Sequence, residues 1–93
     1  MSTSATGKRL AVAIRLEIRD DVIQVWLSDG RELRLPVAEF DFLRDATPAQ
    51  RARGIDDDNG TVLWWEELQD GISVAGLIGV SETELEDFAG VYR

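Results

Sequence analysis

No cysteine and no histidine occur among the 93 residues. That removes a disulfide framework, a thiolate nucleophile, a histidine zinc site and an imidazole base in one step. It agrees with the reducing cytoplasm, which is the expected location. Long hydrophobic runs are missing as well. The longest near the start is residues 10–14, too short for a signal-peptide core or a membrane span. Positive charge is scarce outside the first stretch. Residues 1–19 carry Lys8, Arg9, Arg15 and Arg19 against Glu17 alone, a net +3. The whole chain is at −8, so residues 20–93 carry −11. An acidic body argues against direct nucleic-acid binding, which runs on basic phosphate contacts, and against anionic membrane surfaces. It favours solubility and a basic partner.

What is present begins with residues 22–37, VIQVWLSDGRELRLPV. Asp-Gly between alternating apolar residues is a strong hairpin signal. A two-residue loop would set Val25 and Leu27 on one face with Arg34 and Glu32. A three-residue loop, Ser28-Asp29-Gly30, instead pairs Val25 with Leu33 and Ile23 with Leu35. Ile23, Val25, Leu27, Leu33 and Leu35 then share one face, and Gln24, Trp26, Glu32 and Arg34 the other. A one-residue slip flips every side chain, so burial selects the three-residue loop. Its last position needs a positive φ, and that position is Gly30.

Residues 1–9, MSTSATGKR, have no apolar period and are expected to be a disordered tail before a single domain, residues 10–93. Residues 10–19 alternate, with Val12, Ile14, Leu16 and Ile18 expected inward and Ala13, Arg15, Glu17 and Arg19 outward. Asp20 and Asp21 turn this strand into the hairpin, making a three-stranded antiparallel meander with one apolar face. Pro36 closes the third strand. Val37, Phe40 and Leu43 follow at helical spacing. Thr47-Pro48-Ala49-Gln50 is a capping box with proline at the first helical position. A smaller β-hairpin is expected from Ile55 through a turn at residues 56–60 to Trp65. Trp64 and Trp65 are adjacent and must point to opposite faces, so one belongs to the core. Ser73 can cap a helical turn ended by Gly79. Ser81-Glu82-Thr83-Glu84 is a second capping box, starting a C-terminal helix with Leu85, Phe88, Ala89 and Tyr92 along one stripe. The expected fold class is α+β: a meander, short helices packed on one face, a small second hairpin and a terminal helix.

The chemical inventory is poor. Asp56-Asp57-Asp58-Asn59-Gly60 resembles a calcium loop when Gly60 is set at the sixth position, but Ile55 then fills the first ligand position and a strand follows. Glu66, Glu67 and Asp70 lie on a short polar loop rather than in an evident cleft. Ser28, Ser73 and Ser81 have no histidine to activate them. Gly76 and Gly79 make no phosphate-binding fingerprint. No catalytic residue, cofactor or metal is assigned, and no enzymatic activity is expected. Trp26, on the polar face beside Glu32 and near Arg34, is the candidate anchor for a partner, with Trp65 and Glu66 as further candidate contacts.

Leu27-x-Asp29-Gly30-Arg31, Leu35-Pro36-Val37, Leu43-x-x-Ala46-Thr47-x-x-x-Arg51, Leu63-Trp64 and Asp70-x-Ile72-Ser73-Val74-x-x-Leu77 occur in order. Together they resemble domain-of-unknown-function family 2442. Trp65 and Gln69 depart from the family pattern, in which proline often follows the tryptophan and the next loop is more acidic. The resemblance implies a compact α+β domain and an association with small bacterial gene pairs that include a second little protein, of family 4160. It implies no established reaction. Two readings follow. The first is a non-enzymatic protein-interaction module, the acidic member of a two-protein system with a small basic partner. The second is a small regulatory or ligand-sensing domain with a pocket near Trp64. Self-association into a homo-oligomer stays open in both.

Overall fold

The computed structural model describes residues 9–92. Apart from Arg9, the tail expected at residues 1–9 lies outside the described residues, as does the side chain of Tyr92. The architecture is α+β, with two three-stranded antiparallel sheets, short helices and a C-terminal helix. The first sheet is the meander β1 (Ala13–Arg19), β2 (Val22–Leu27) and β3 (Glu32–Pro36). Its hairpin has the three-residue loop: Val25 pairs with Leu33, Ile23 with Leu35, and Trp26 with Glu32. The Leu27 N–H donates to the Arg31 carbonyl at 2.8 Å, and Gly30 takes φ 93°. Asp29 clasps the loop by accepting from the Arg31 backbone N–H and guanidinium at 3.1 and 2.7 Å. Partial burial opposes ionisation of Asp29, but the Arg31 N–H, the Arg31 guanidinium and the Arg9 charge together hold its carboxyl below the usual aspartate range.

The alternation expected along β1 fails at one point. Ala13 lies opposite Leu27 and Arg15 opposite Trp26, so Ile14 is the additional residue of a β-bulge. The bulge reverses the phase of the strand. Ile14, expected inward, is 53% exposed, while Ala13, expected outward, is buried. Below the bulge Leu16 and Ile18 face inward as expected, opposite Val25 and Ile23.

After Pro36 the helical stretch divides. A 3-10 turn (Val37–Glu39) stays bonded to the sheet through the Val37 N–H and the Asp21 carbonyl, at 2.9 Å. Phe40 is extended (φ −118°, ψ 105°), and α1 (Asp41–Arg44) starts beyond it. The Thr47–Gln50 capping box opens α2 (Pro48–Arg51), with both reciprocal bonds formed at 3.0 and 3.1 Å.

The second β-element is larger than the expected hairpin. β4 (Ile55–Asp57), β5 (Val62–Trp65) and β6 (Asp70–Ser73) form a second meander. Sequence pattern suggests a turn at Gly71, because one apolar residue, Ile72, is too little alternation to mark a strand. The ladder decides otherwise, pairing Leu63 with Ile72 and Trp64 with Gly71. β4 and β5 are joined through Asp58, Asn59 and Gly60, with φ of 52°, 61° and 82°. Asp and Asn tolerate this left-handed region better than other residues with a side chain. β5 and β6 are joined by a 3-10 turn (Glu66–Leu68) and the left-handed Gln69.

Ser73 caps α3 (Val74–Ile78), its hydroxyl accepting from the Gly76 N–H. The Ser81–Glu84 box caps α4 (Glu82–Tyr92). Leu85 and Ala89 of α4 are buried and Phe88 is half-buried. One buried cluster draws on both sheets, α1, α3 and α4, with Trp65, Ile23, Leu27, Leu43, Leu63 and Leu85 its largest members. Burying each such side chain contributes about 1.5–3 kcal/mol. Among the described residues, no helix is long and apolar enough to cross a membrane.

Candidate functional site

Two tryptophans are only half-buried, and they sit in opposite electrostatic settings. Trp26 lies on the outer face of the first sheet, between Arg15 on β1 and Glu32 on β3. The Arg15 guanidinium is stacked over the Trp26 ring, 4.8 Å from its centre. Arg15 in turn pairs with Glu17, and the Gln24 amide donates to Glu32 at 2.8 Å. Arg34 faces Gln24 and sits diagonally from Trp26. The cation on this ring is therefore Arg15, and its π-face is already used within the chain. A two-residue turn at Asp20 and Asp21 sets Arg15 across from Trp26, so this pairing was within reach of the sequence.

Trp65 does not belong to a contact surface. It is 1% exposed, its indole N–H donates to the Arg51 carbonyl at 2.9 Å, and Phe42 meets it edge-on at 5.5 Å. A β-carbon on Gly54 would fall 2.4 Å from the indole ring, so the absence of a side chain there makes room for Trp65. Arg51 explains part of its own surroundings. Its guanidinium donates to the Leu43 and Arg44 carbonyls at 2.7 and 2.9 Å, the exposed acceptors at the end of α1. One residue thus joins α1, α2 and β5.

Trp64 is the better candidate. Because β5 alternates, burying Trp65 turns Trp64 outward. Its ring runs across Gly71 on β6, where a β-carbon would fall 2.8 Å from the ring. Its indole N–H donates to Glu66 Oε1 at 2.8 Å. The Gln69 amide donates to the other Glu66 oxygen at 2.9 Å and to the Glu66 carbonyl at 2.7 Å. These bonds fix the ring orientation. They also hold the Glu66 carboxyl below the usual glutamate range, the Trp64 N–H first and the Gln69 amide second. Glu67 is lowered likewise, by the Gln50 amide and then by Arg53. Glu66 therefore serves as the brace of Trp64.

Beside Trp64 opens a groove of about 330 Å³. Trp64, Val62, Ala75 and Leu85 supply its apolar surface; Asp58, Asp70, Glu82 and Glu86 bring four carboxylates, and no lysine or arginine among the described residues lines it. None of the four makes an ion pair among the described residues. Nor do they converge as metal ligands: among the described residues no group of three or more acidic side chains is arranged to hold an ion. Asp57 caps the following turn, accepting from the Asp58 N–H at 2.8 Å. An aromatic face with spread carboxylates is suited to an elongated cation, a lysine or arginine side chain, more than to a compact metal. Asp58, Glu82 and Glu86 are not legible as groove residues in the sequence, because the turn before β5 and α4 meet only in the folded chain.

Residues 13–81 match the family described as Protein of unknown function (DUF2442). The chain belongs to this family. The match takes in the Asp29–Arg31 clasp, the Arg51 bridge, Trp64 and the Ser73 cap. A crystal structure of a protein of unknown function from Rhodospirillum rubrum ATCC 11170 has the same fold, with a TM-score of 0.70 and 21% identity over 83% of this chain and 99% of that one. No curated protein matches the chain.

Proposed function

We propose that the chain is a non-enzymatic protein-interaction module, the acidic partner of a small basic protein in the bacterial cytoplasm. The groove beside Trp64 receives a lysine or arginine side chain of that partner. The observation that carries this reading is the pairing of a braced tryptophan with four carboxylates that have no cation partner among the described residues. The net charge of −8 extends the same bias over the whole molecule and favours encounter with a basic surface. The anchor first expected at Trp26 moves to Trp64, because Arg15 already occupies the Trp26 face.

The volume also supports the ligand-sensing reading, since about 330 Å³ is at the small end of small-molecule sites. The ligand would then be a small amine. One titration separates the two. A short Lys/Arg-rich peptide, an acidic peptide and lysine amide are each added while the indole N–H resonances are followed. The basic peptide is expected to move Trp64 first, and Glu82→Lys/Glu86→Lys to abolish the effect. Lysine amide binding as tightly as the peptide selects the sensing reading. Shifts that begin at Trp26, or none at the groove, overturn both.

A further inference from the structure

We infer that the chain self-associates through β3, two copies joining antiparallel about a two-fold axis at Leu33. β3 is one edge of the first sheet, in the order β1-β2-β3. The bonds from Leu27 to Arg31 and from Val37 to Asp21 mark the positions where β2 and β3 exchange hydrogen bonds. An antiparallel ladder alternates, so Glu32 and Arg34 must turn their N–H and C=O groups away from β2. No hydrogen bond to those groups is made among the described residues. The strand at the other edge of the sheet, β1, lies against β4 and the turn at residues 58–60.

Side chains select the occupant. Arg34 stands apart among the described arginines: Arg9, Arg15, Arg19, Arg31, Arg44, Arg51 and Arg53 each have a carboxylate within 4.0 Å, and Arg34 has none. Glu32, two residues away on the same outer face, bonds Gln24 through one oxygen and keeps the other. A two-fold axis at Leu33 sets Glu32 of each copy opposite Arg34 of the other. All their outward backbone groups are then paired. The half-buried Leu33 meets its own counterpart on the apolar face, at the closer, non-hydrogen-bonded spacing. Shifting the axis to Arg34 would instead oppose arginine to arginine and bring Glu32 against Pro36, which has no N–H. The charges on this edge therefore permit one register of self-pairing and oppose the next. A two-fold pairing uses the same β3 edge on both copies, so the assembly closes as a dimer.

Sedimentation equilibrium of the full chain over a range of concentrations tests this. Wild type is expected to reach a dimer, with the Glu32 and Arg34 amides exchanging more slowly as concentration rises. Arg34→Glu places like charges opposite each other and is expected to weaken the dimer about tenfold or more. Glu32→Arg/Arg34→Glu together restores opposite pairs and should restore the dimer. A wild type that stays monomeric overturns the inference. So does a dimer indifferent to Arg34→Glu, or one that the double reversal fails to restore. An edge filled by an extended peptide of another protein, with the chain itself monomeric, also overturns it. The groove titration uses other residues, so either proposal can fail without the other.

Discussion

Gly60 abuts the backbone of Ala13 so closely that a β-carbon on it would fall 2.4 Å from the Ala13 carbonyl oxygen. This contact is a seam between the two sheets. It lies one residue before the bulge at Ile14, which turns Ala13 inward. Gly60 also has φ 82°, so a side chain there meets both a clash and a strained backbone.

Gly60→Ala is therefore expected to cost about 3 kcal/mol or more, adding overpacking to left-handed strain. Gly30→Ala is expected to cost only about 1–2 kcal/mol, because Gly30 has φ 93° but, among the described residues, nothing within 4 Å of an added β-carbon. Urea midpoints compare the two. Equal losses would mean that the seam at Ala13 can relax.

Arg51→Lys is expected to destabilise by about 1–2 kcal/mol despite keeping the charge. A lysine cannot reproduce the guanidinium fork across the Leu43 and Arg44 carbonyls, and at least one of the two bonds that tie α2 to the end of α1 would be lost. Thermal unfolding of the Lys and Met variants checks it. If Met is no worse than Lys, the carbonyl contacts are not what Arg51 contributes.

Protonating Glu66 should release Trp64. The folded pKa of Glu66 is lowered, so its bonds stabilise the fold fully above the ordinary value of about 4.5 and are lost as pH falls through the folded value. A Trp64 indole N–H titration is expected to have its midpoint below the ordinary glutamate range and to vanish in Glu66→Gln. A midpoint at or above the ordinary value would contradict the brace.

Association with the proposed basic partner should slow as salt rises toward 0.5 M, where surface charges are screened beyond about 4–5 Å. Trp64→Ala should instead speed dissociation, by about the 2 kcal/mol of an anchoring aromatic. Stopped-flow mixing separates the two rates. An association rate indifferent to salt would remove charge from the recognition.

Much of this molecule is local and was therefore legible in its sequence. The three-residue loop follows from which register buries Ile23, Val25, Leu33 and Leu35 together. The caps at Thr47, Ser73 and Ser81 use residues three positions apart, and the outward turn of one tryptophan at residues 64 and 65 is simple strand parity. What the sequence left open depends on contacts between distant segments. The bulge at Ile14 breaks an otherwise regular alternation where Gly60 of the other sheet abuts Ala13. β6 has too few apolar residues to announce a strand and exists through its ladder to β5. The choice of Trp65 for the core depended on Gly54, Phe42 and the Arg51 carbonyl surrounding it. The groove beside Trp64 depended on α4 bringing Glu82 and Glu86 to Asp58 and Asp70. Periodicity records which face of a segment avoids water; which other segment covers that face is settled only when the chain closes on itself.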